Sequence, residues 1–183
     1  MRAEQDEAVT RKLEVKGTVG CVAVDTSGHL GMSCQRFESN VLMVYSAAAT
    51  STGGLSNKMV GRVGDSSLIG SGTYANDRLA VSCTGRGEQF IRHQVAYQLA
   101  ARVRFRKDSP EHAAQCIIEQ DLSHGHGGQS WYILHSWRDS RKGPGLIAVD
   151  KHYNTVTPFN TRGMYRGVAN SEGEFQIRIY NDR

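Results

Sequence analysis

The chain has 183 residues, of which 39% are hydrophobic and 20 are glycines, and this indicates one globular, loop-rich domain with its own core. The net charge is only +4, and the one dense basic run, Arg102 to Lys107, lies at a predicted helix end, so we expect a solvated face and no nucleic-acid partner. No apolar run approaches the roughly 18 residues of a membrane span, and the charged N-terminus is unlike a signal peptide, so we expect a cytoplasmic protein without a membrane partner.

The first part of the chain is predicted to form strands separated by loops. A charged leader over 1–17 precedes a nearly continuous apolar run over 18–25, which predicts a strand buried on both faces. A turn at 25–29 should lead into a return strand that begins at Leu30. The small residues of 47–52 predict a further strand, which another backbone or a substrate can approach closely.

The middle of the chain is predicted to contain two helices. Glycines punctuate a loop over 57–72, and a strand over 79–84 then leads into a helix from about 88 to 107. Ser109, followed by proline and glutamate, is typical of a helix start, and this second helix should end near Leu122.

The last part of the chain returns to strands. Residues 146–150 and 155–158 predict a hairpin, and the alternating residues of 175–180 predict a final strand. The order of strands, two helices and further strands predicts an α+β fold, with the helices packed on antiparallel sheet.

The cysteines and histidines predict no metal site and no cofactor. The four cysteines are widely spaced without a CxxC pair, which favours buried free thiols over disulfides or a metal site: Cys21, Cys34, Cys83 and Cys116. Three histidines, at 124, 126 and 135, lie close in sequence but lack a framework of further ligands. A polar loop is therefore favoured over a metal cluster.

Thr18 is the first residue of the first predicted strand and follows Gly17. Cleavage of the bond between them would leave Thr18 with a hydroxyl and a free α-amine, which together form a nucleophile and its base. A glycine–threonine pair is common and by itself indicates only an ordinary strand start. Its meaning depends on whether the rest of the chain builds a site around it.

Three glycine-flanked clusters follow: TSTGG at 50–54, GRVGD at 61–65 and TGRGE at 84–88. Arg62 and Asp65 can clamp the carboxylate and ammonium of an amino acid, although a surface salt bridge between them is the simpler interpretation. The TGRG turn offers a hydroxyl and backbone N–H groups, which are the parts of an oxyanion hole. None of the three clusters matches a phosphate-binding loop.

Six longer motifs occur in a fixed order between Gly17 and about Gly167: GTVGCVAVD, AAATSTGG, GRVGDSSLIGSGTYAND, AVSCTGRGEQFIR, GLIAVD and PFNTRGMYRG. This series closely resembles the β subunit of the plant-type L-asparaginase/isoaspartyl peptidase family, whose members are N-terminal-nucleophile hydrolases. Glycosylasparaginases are similar around GRVGD but typically carry an asparagine where Gly53 stands. The resemblance implies the β-subunit half of an αββα sandwich.

The resemblance also implies a reaction. The precursor would cleave itself between Gly17 and Thr18, and Thr18 would then attack the side-chain amide of L-asparagine or of a β-aspartyl peptide. The α-amine of Thr18, with an ordinary pKa of about 7.7–8.0, would accept the hydroxyl proton. Thr52 would hydrogen-bond to the nucleophile, while Thr84 and Gly85 would form the oxyanion hole.

Substrate binding is implied for the GRVGD and TGRGE loops together. Arg62 and Asp65 would hold the α-carboxylate and α-amine of the substrate, and Gly87 would line its head group. The full predicted substrate-binding set is Arg62, Val63, Gly64, Asp65, Thr84, Gly85, Arg86 and Gly87.

The chain departs from the family pattern in two respects. A large α portion precedes the threonine in relatives, whereas residues 1–17 precede it here, so we expect an α-subunit or full-length partner, a fragment of a longer protein or a misassigned start. Insertions near 32–46 and 129–143 interrupt the motif series in the domain over 18–183, and a retained intron is one hypothesis for the first. Relatives assemble as paired αβ units, so we expect an oligomer.

Several functions remain open from the sequence. The first is an active hydrolase that acts on small-molecule substrates after cleavage, and a glycosylasparaginase-like amidohydrolase is a variant of it. The second is a truncated or inactive homologue that serves only as a partner subunit, and the third is a mildly basic binding domain. The joint presence of Thr18, Thr52, Arg62, Asp65 and Thr84 favours the first over the third.

Overall fold

The computed structural model describes residues 17–25, 45–121 and 143–180. Several predicted features lie outside these residues: the leader up to residue 16, the turn and return strand at 26–30, most of both insertions, Cys34 and the loop that contains His124, His126 and His135.

The described strands form three antiparallel sheets. The first pairs β1 (Thr18–Asp25) with β2 (Tyr45–Thr52). The second has four strands in the order β3 (Thr73–Ala75), β4 (Leu79–Thr84), β5 (Gly145–Asp150) and β6 (Thr155–Val156). The third is a hairpin of β7 (Arg166–Ala169) and β8 (Phe175–Arg178). The predicted strand over 79–84 is confirmed as β4, and the predicted hairpin that begins at 146 is confirmed as β5 and β6.

Three helices lie between β4 and β5, and together with the sheets they make an α+β fold. They are α1 (Gly87–His93), α2 (Val95–Ala101) and α3 (Pro110–Gln115), and π-helical turns over Arg102–Arg106 and Cys116–Asp121 extend the last two. The side chain of Ser109 accepts a hydrogen bond from the backbone N–H of His112 at 3.2 Å, which confirms the predicted helix start.

The prediction of one continuous helix over 88–107 is wrong. Gln94 has a left-handed backbone with φ of 48°, and it separates α1 from α2. The backbone N–H groups of Ala96 and Tyr97 donate to the carbonyls of Ser71 and Gly70 instead of to the preceding helical turn. The break therefore docks the start of α2 onto the loop before β3, a long-range contact that helical periodicity does not encode.

The core lies between the helices and one face of the four-stranded sheet. Alternate residues of β4 point into it, and they are joined by residues of β5 and of all three helices: Leu79, Val81, Cys83, Leu146, Phe90, Val95, Leu99, Ala113 and Ile117. Each of these side chains is at most 2% exposed. This packing fixes β4, and hence the loop after Thr84, relative to α1.

The β1–β2 pair packs against the opposite face of the four-stranded sheet through small and hydroxyl-bearing residues. Thr50 Oγ1 lies 2.7 Å from Ser82 Oγ, and Ser46 Oγ donates to the carbonyl of Asn76. Because Asn76 precedes β4 and Ser82 lies near its end, β2 and β4 run in the same direction. Gly20 permits the close approach, since a Cβ there would lie 2.9 Å from the Cβ of Ser82.

The expectation that β1 is buried on both faces is wrong. Val19 is 73% exposed and Cys21 is also exposed, whereas the alternate residues Gly20 and Val22 are partly buried. Only one face of β1 meets the four-stranded sheet, and the described residues do not cover the other. The expectation of a buried thiol therefore holds for Cys83 and Cys116 but not for Cys21.

Among the described residues, no helix has the length and apolar character that a membrane span requires.

Candidate active site

Thr18 and Thr52 meet at one end of the β1–β2 pair. They lie opposite each other in the antiparallel register, and the Thr18 hydroxyl donates to Thr52 Oγ1 at 3.3 Å. Thr52 Oγ1 also accepts a hydrogen bond of 3.0 Å from the backbone N–H of Gly54. The structure thus joins the predicted nucleophile to its predicted partner, and it leaves Gly17 exposed beside them.

Thr84 lies at the same edge of the packed sheets as Thr18. The strands β1 and β4 run in opposite directions, because β1 is antiparallel to β2 and β2 runs with β4. Gly20 of β1 packs against Ser82 of β4. Thr18 lies two residues before Gly20 and Thr84 lies two residues after Ser82, so the opposite strand directions place both threonines at the same edge. Within the described residues no hydrogen bond joins Thr84 or Gly85 to Thr18, so the oxyanion-hole assignment stays a prediction.

Gly85 makes a turn that requires glycine. Its φ is 148°, a value that L side chains rarely adopt, and a Cβ there would lie 2.6 Å from Cε2 of Phe90. The buried ring of Phe90 therefore holds the backbone after Thr84 close to α1. This supports a fixed direction for the N–H groups of the loop, as an oxyanion hole needs.

Arg62 is held by a carboxylate that the sequence interpretation did not assign. Its Nε donates to Oε1 of Glu88 at 2.8 Å, and its Nη2 lies 2.7 Å from the same oxygen. Nη1 faces the glycine side, 3.4 Å from the position of a Cβ at Gly54 and 3.5 Å from one at Gly64. No ion pair joins Arg62 to Asp65 among the described residues, so the simpler interpretation, a surface salt bridge between those two, is wrong.

Asp65 is buried between two glycines. A Cβ at Gly72 would lie 2.7 Å from Asp65 Oδ2, and a Cβ at Gly87 would lie 2.8 Å from Oδ1 and 3.3 Å from Nη2 of Arg62. Only glycine at both positions leaves room for the carboxyl group. The predicted residues Arg62, Asp65 and Gly87 are therefore brought together in one cluster.

The carboxyl group of Asp65 is short of partners. Asp65 as a whole is 7% exposed, and its Oδ2 is buried without a hydrogen bond among the described residues. Burial raises the pKa of Asp65 above its ordinary value, and the charge of Glu88 raises it further, against the opposing effects of a backbone hydrogen bond and of Arg62. A buried, unpaired carboxylate oxygen is suited to an incoming ammonium group.

Burial also raises the pKa of the Cys83 thiol well above its ordinary value, and the charge of Asp65 adds to this effect. Cys83 therefore stays protonated and inert in the core beside the site.

The remaining predicted binding residues flank this cluster. Val63 is 63% exposed beside Arg62, and Arg86 is exposed immediately before α1. Arg102 and Arg106, from the basic run, lie within 3.7 Å of a carboxylate oxygen of Asp108 and far along the chain from this cluster.

Sequence reasoning missed Glu88 and Gly72. The sequence places Glu88 only in a glycine turn that leads into a helix, directly after Gly87. The sequence places Gly72 in the predicted loop over 57–72. Neither role has a local signal, because both depend on loops that are distant in sequence.

A cavity of about 420 Å³ adjoins the two threonines and is lined by Gly17, Gly53, Gly54, Leu55, Ser56, Asn57 and Lys58. The described residues hold no group of three or more His, Cys, Asp or Glu side chains arranged to hold a metal ion.

The sequence of the chain is similar to that of a known protein family. A family model described as asparaginase matches residues 1–179. The chain belongs to this asparaginase family. The match extends over the first two described ranges, over the third as far as residue 179, and over the residues between them.

Individual relatives are similar over most of the chain. The chain is 38% identical over 163 residues to a probable isoaspartyl peptidase/L-asparaginase 2 from Arabidopsis thaliana, covering 89% of this chain and 40% of that protein. It is 43% identical over 168 residues to an isoaspartyl peptidase from Escherichia coli, covering 91% and 43%. It is 46% identical over 168 residues to an isoaspartyl peptidase/L-asparaginase from Xenopus laevis, covering 90% and 43%. The chain thus spans about two fifths of the length of these relatives.

Proposed function

We propose that this protein is a threonine-type hydrolase that cleaves the side-chain amide of L-asparagine and the isopeptide bond of β-aspartyl peptides. The observation that carries the proposal is the 3.3 Å hydrogen bond between Thr18 and Thr52, at the start of a strand whose preceding residue is exposed. The names of the relatives describe the same two activities, and the Arg62–Asp65 cluster supplies the matching chemistry.

The reaction begins with cleavage of the Gly17–Thr18 bond, which frees the α-amine of Thr18. This amine takes the proton from the Thr18 hydroxyl as Oγ1 bonds to the β-carbonyl carbon of the substrate. The carbon–nitrogen bond then breaks, and the proton passes to the leaving ammonia or peptide amine. Water adds to the resulting ester and releases aspartate and free Thr18.

Two groups stabilise the charges of this reaction. Thr84 and the N–H of Gly85 donate to the oxyanion, from a turn that Phe90 holds in place. Arg62 binds the α-carboxylate of the substrate through its Nη1 side, and Asp65 binds the α-ammonium through its unpaired Oδ2. The buried position of Asp65 strengthens its attraction for the ammonium, because little water screens the pair.

A larger assembly is part of this proposal. The three layers of the described residues, β1–β2, the four-stranded sheet and the helices, fit the β-subunit half of an αββα sandwich. The outer face of β1 exposes Val19, and the β7–β8 hairpin exposes Phe175 and Ile177. Exposed apolar faces of this kind suit contact with an α portion or a full-length homologue and with further αβ units.

The free thiols of Cys21, Cys83 and Cys116 support a reducing compartment, and we place the protein in the cytoplasm.

The test is to incubate the purified chain with L-asparagine and with a β-aspartyl dipeptide, and to measure ammonia and released aspartate. We expect both products from the wild type and neither from the Thr18→Ala variant. Release of aspartate by Thr18→Ala at the wild-type rate would contradict the role of Thr18. A folded wild type that releases neither product, alone or with a full-length homologue, would instead favour an inactive partner subunit.

A further inference from the structure

The cavity beside Thr18 is not accounted for by the binding of the substrate head group. It is lined by Gly17 and by residues 53–58, whereas Arg62, Asp65 and Gly87 are not part of its wall. Gly17 and Gly53 are the immediate chain neighbours of Thr18 and Thr52. The cavity therefore borders the head-group site of Arg62 and Asp65, because Gly54 in its wall also faces Nη1 of Arg62, and it extends from there along residues 55–58.

Among the described residues, Lys58 supplies the one charged side chain in the wall of this cavity. Its Nζ donates to the carbonyl of Gly53 at 2.7 Å, and its Cδ lies 3.3 Å from the position of a Cβ at Gly54. An ammonium group has three donors, so this bond leaves two for a ligand.

The loop that carries Lys58 is shaped to bring the ammonium back toward Thr52. Gly54 and Asn57 both have positive φ, at 76° and 52°, and these conformations reverse the chain between Gly53 and Lys58. The Gly53 carbonyl that accepts this bond belongs to the residue directly after Thr52. The Lys58 ammonium is thus tied to the residue that follows Thr52, which is the hydrogen-bond partner of Thr18.

We propose that this cavity binds the leaving residue of a β-aspartyl dipeptide and that Lys58 pairs with the free C-terminal carboxylate of that residue. The proposal rests on the hydrolysis proposed above. The aspartyl head lies at Arg62 and Asp65, so the amine portion must lie beyond the β-carbonyl, away from the clamp. A cavity of about 420 Å³ is within the size range of small-ligand sites and accommodates one amino-acid residue.

This arrangement separates two classes of substrate. The leaving group of asparagine is ammonia, which has no carboxylate for Lys58. The leaving group of a β-aspartyl dipeptide carries one, separated from the scissile bond by a single Cα. Lys58 therefore favours dipeptides with a free C-terminus over their C-terminal amides.

The test compares β-aspartyl-leucine with β-aspartyl-leucinamide on the purified chain. Saturation-transfer NMR reports the bound peptide, and the same spectra report released leucine or leucinamide, so binding and turnover are measured in one sample. The variants are Lys58→Met and, as a matched control, Lys107→Met, because Lys107 is also exposed and its Nζ also donates to a backbone carbonyl, that of Arg104.

We expect the wild type and Lys107→Met to bind the free-carboxylate peptide about three- to fivefold more tightly than the amide, the upper part of the range for an exposed ion pair. In Lys58→Met the two peptides should bind equally. A wild type that binds both peptides equally, or a preference that survives in Lys58→Met, would overturn the proposal. Turnover without any carboxylate preference contradicts this subsite alone, whereas a Lys58-dependent preference without turnover contradicts the proposed hydrolysis alone.

Discussion

Arg62 and Glu88 form an ion pair in which both Nε and Nη2 of the guanidinium meet one carboxylate oxygen, at 2.8 and 2.7 Å. Glu88 lies in the first turn of α1, directly after Gly87, so the position of the guanidinium is tied to that helix. The remaining nitrogen, Nη1, faces Gly54 and Gly64. Through Glu88, helix α1 thus holds the Nε and Nη2 side of the Arg62 guanidinium. Nη1 is left directed toward Gly54, which lies two residues after Thr52.

The Glu88→Gln variant should bind asparagine more weakly, because the guanidinium loses the charged partner that orients it. We expect KM for asparagine to rise about tenfold, as for the loss of a charge-assisted hydrogen bond, with a smaller change in kcat. Glu111→Gln, which removes a charge from the first turn of α3, is the control and should leave KM unchanged. Equal KM values for Glu88→Gln and the wild type would show that Arg62 needs no such partner.

Arg62→Ala should weaken asparagine binding far more than self-cleavage, because the guanidinium binds the substrate carboxylate and plays no part in breaking the Gly17–Thr18 bond. Initial rates at varied asparagine and an SDS gel of the same preparation separate the two effects. Equal losses of both would indicate a folding defect in place of a binding role.

The pH dependence should follow Asp65. Its pKa is raised by burial and by Glu88, so it takes up a proton at a higher pH than an ordinary aspartate and then no longer attracts the ammonium of the substrate. The value of kcat/KM for asparagine should therefore fall as the pH is lowered through this raised pKa. In Glu88→Gln the fall should move to lower pH, since one of the raising charges is gone. A fall at the same pH in both proteins would contradict the coupling.

Because Asp65 is buried, its ionised carboxylate should lower the free energy of unfolding of the protein. Because the folded pKa lies above the unfolded one, the folded state binds more protons in the window between the two, and its stability falls as pH rises through that window. Asp65→Asn removes the buried charge, so its melting temperature at neutral pH should equal or exceed that of the wild type while asparagine binding is lost. A large drop in melting temperature would mean that the carboxylate is needed for folding.

Thr52→Val should slow both self-cleavage and turnover, because it removes the hydroxyl that accepts from Thr18 and from the Gly54 N–H. The loss of such a neutral hydrogen bond predicts a fall of about tenfold in each rate. Thr52→Ser keeps the hydroxyl and should recover most of both rates, as measured by cleavage on a gel and by ammonia release. If Ser is as slow as Val, the methyl packing of Thr52 matters and its hydroxyl does not.

The sequence predicts much of this arrangement because the relevant signals are local. The β-strand over Leu79–Thr84, the start of α3 at Ser109 and the hairpin after Gly145 follow from runs of apolar residues and from capping residues. The motif resemblance places Thr18 and Thr52 in one site, and the antiparallel register confirms that they are opposite each other.

The features that the sequence did not predict all depend on contacts between distant segments. The break at Gln94 arises because the loop at Gly70 and Ser71 accepts the N–H groups of α2. The pairing of Arg62 with Glu88 depends on the fold of a loop onto a helix 26 positions later. The sequence does not predict the exposed face of β1, because an apolar run indicates burial but does not indicate which segment packs against each face of the strand.

The central claim is that Thr18 becomes an N-terminal nucleophile, and N-terminal sequencing with intact-mass measurement of the purified protein tests it most directly. The account predicts a fragment that begins with Thr18-Val19-Gly20 in the wild type and an uncut chain in Thr18→Ala. A folded wild type that stays intact between Gly17 and Thr18 yet hydrolyses asparagine, or a Thr18→Ala chain that is cut at that bond, would contradict it.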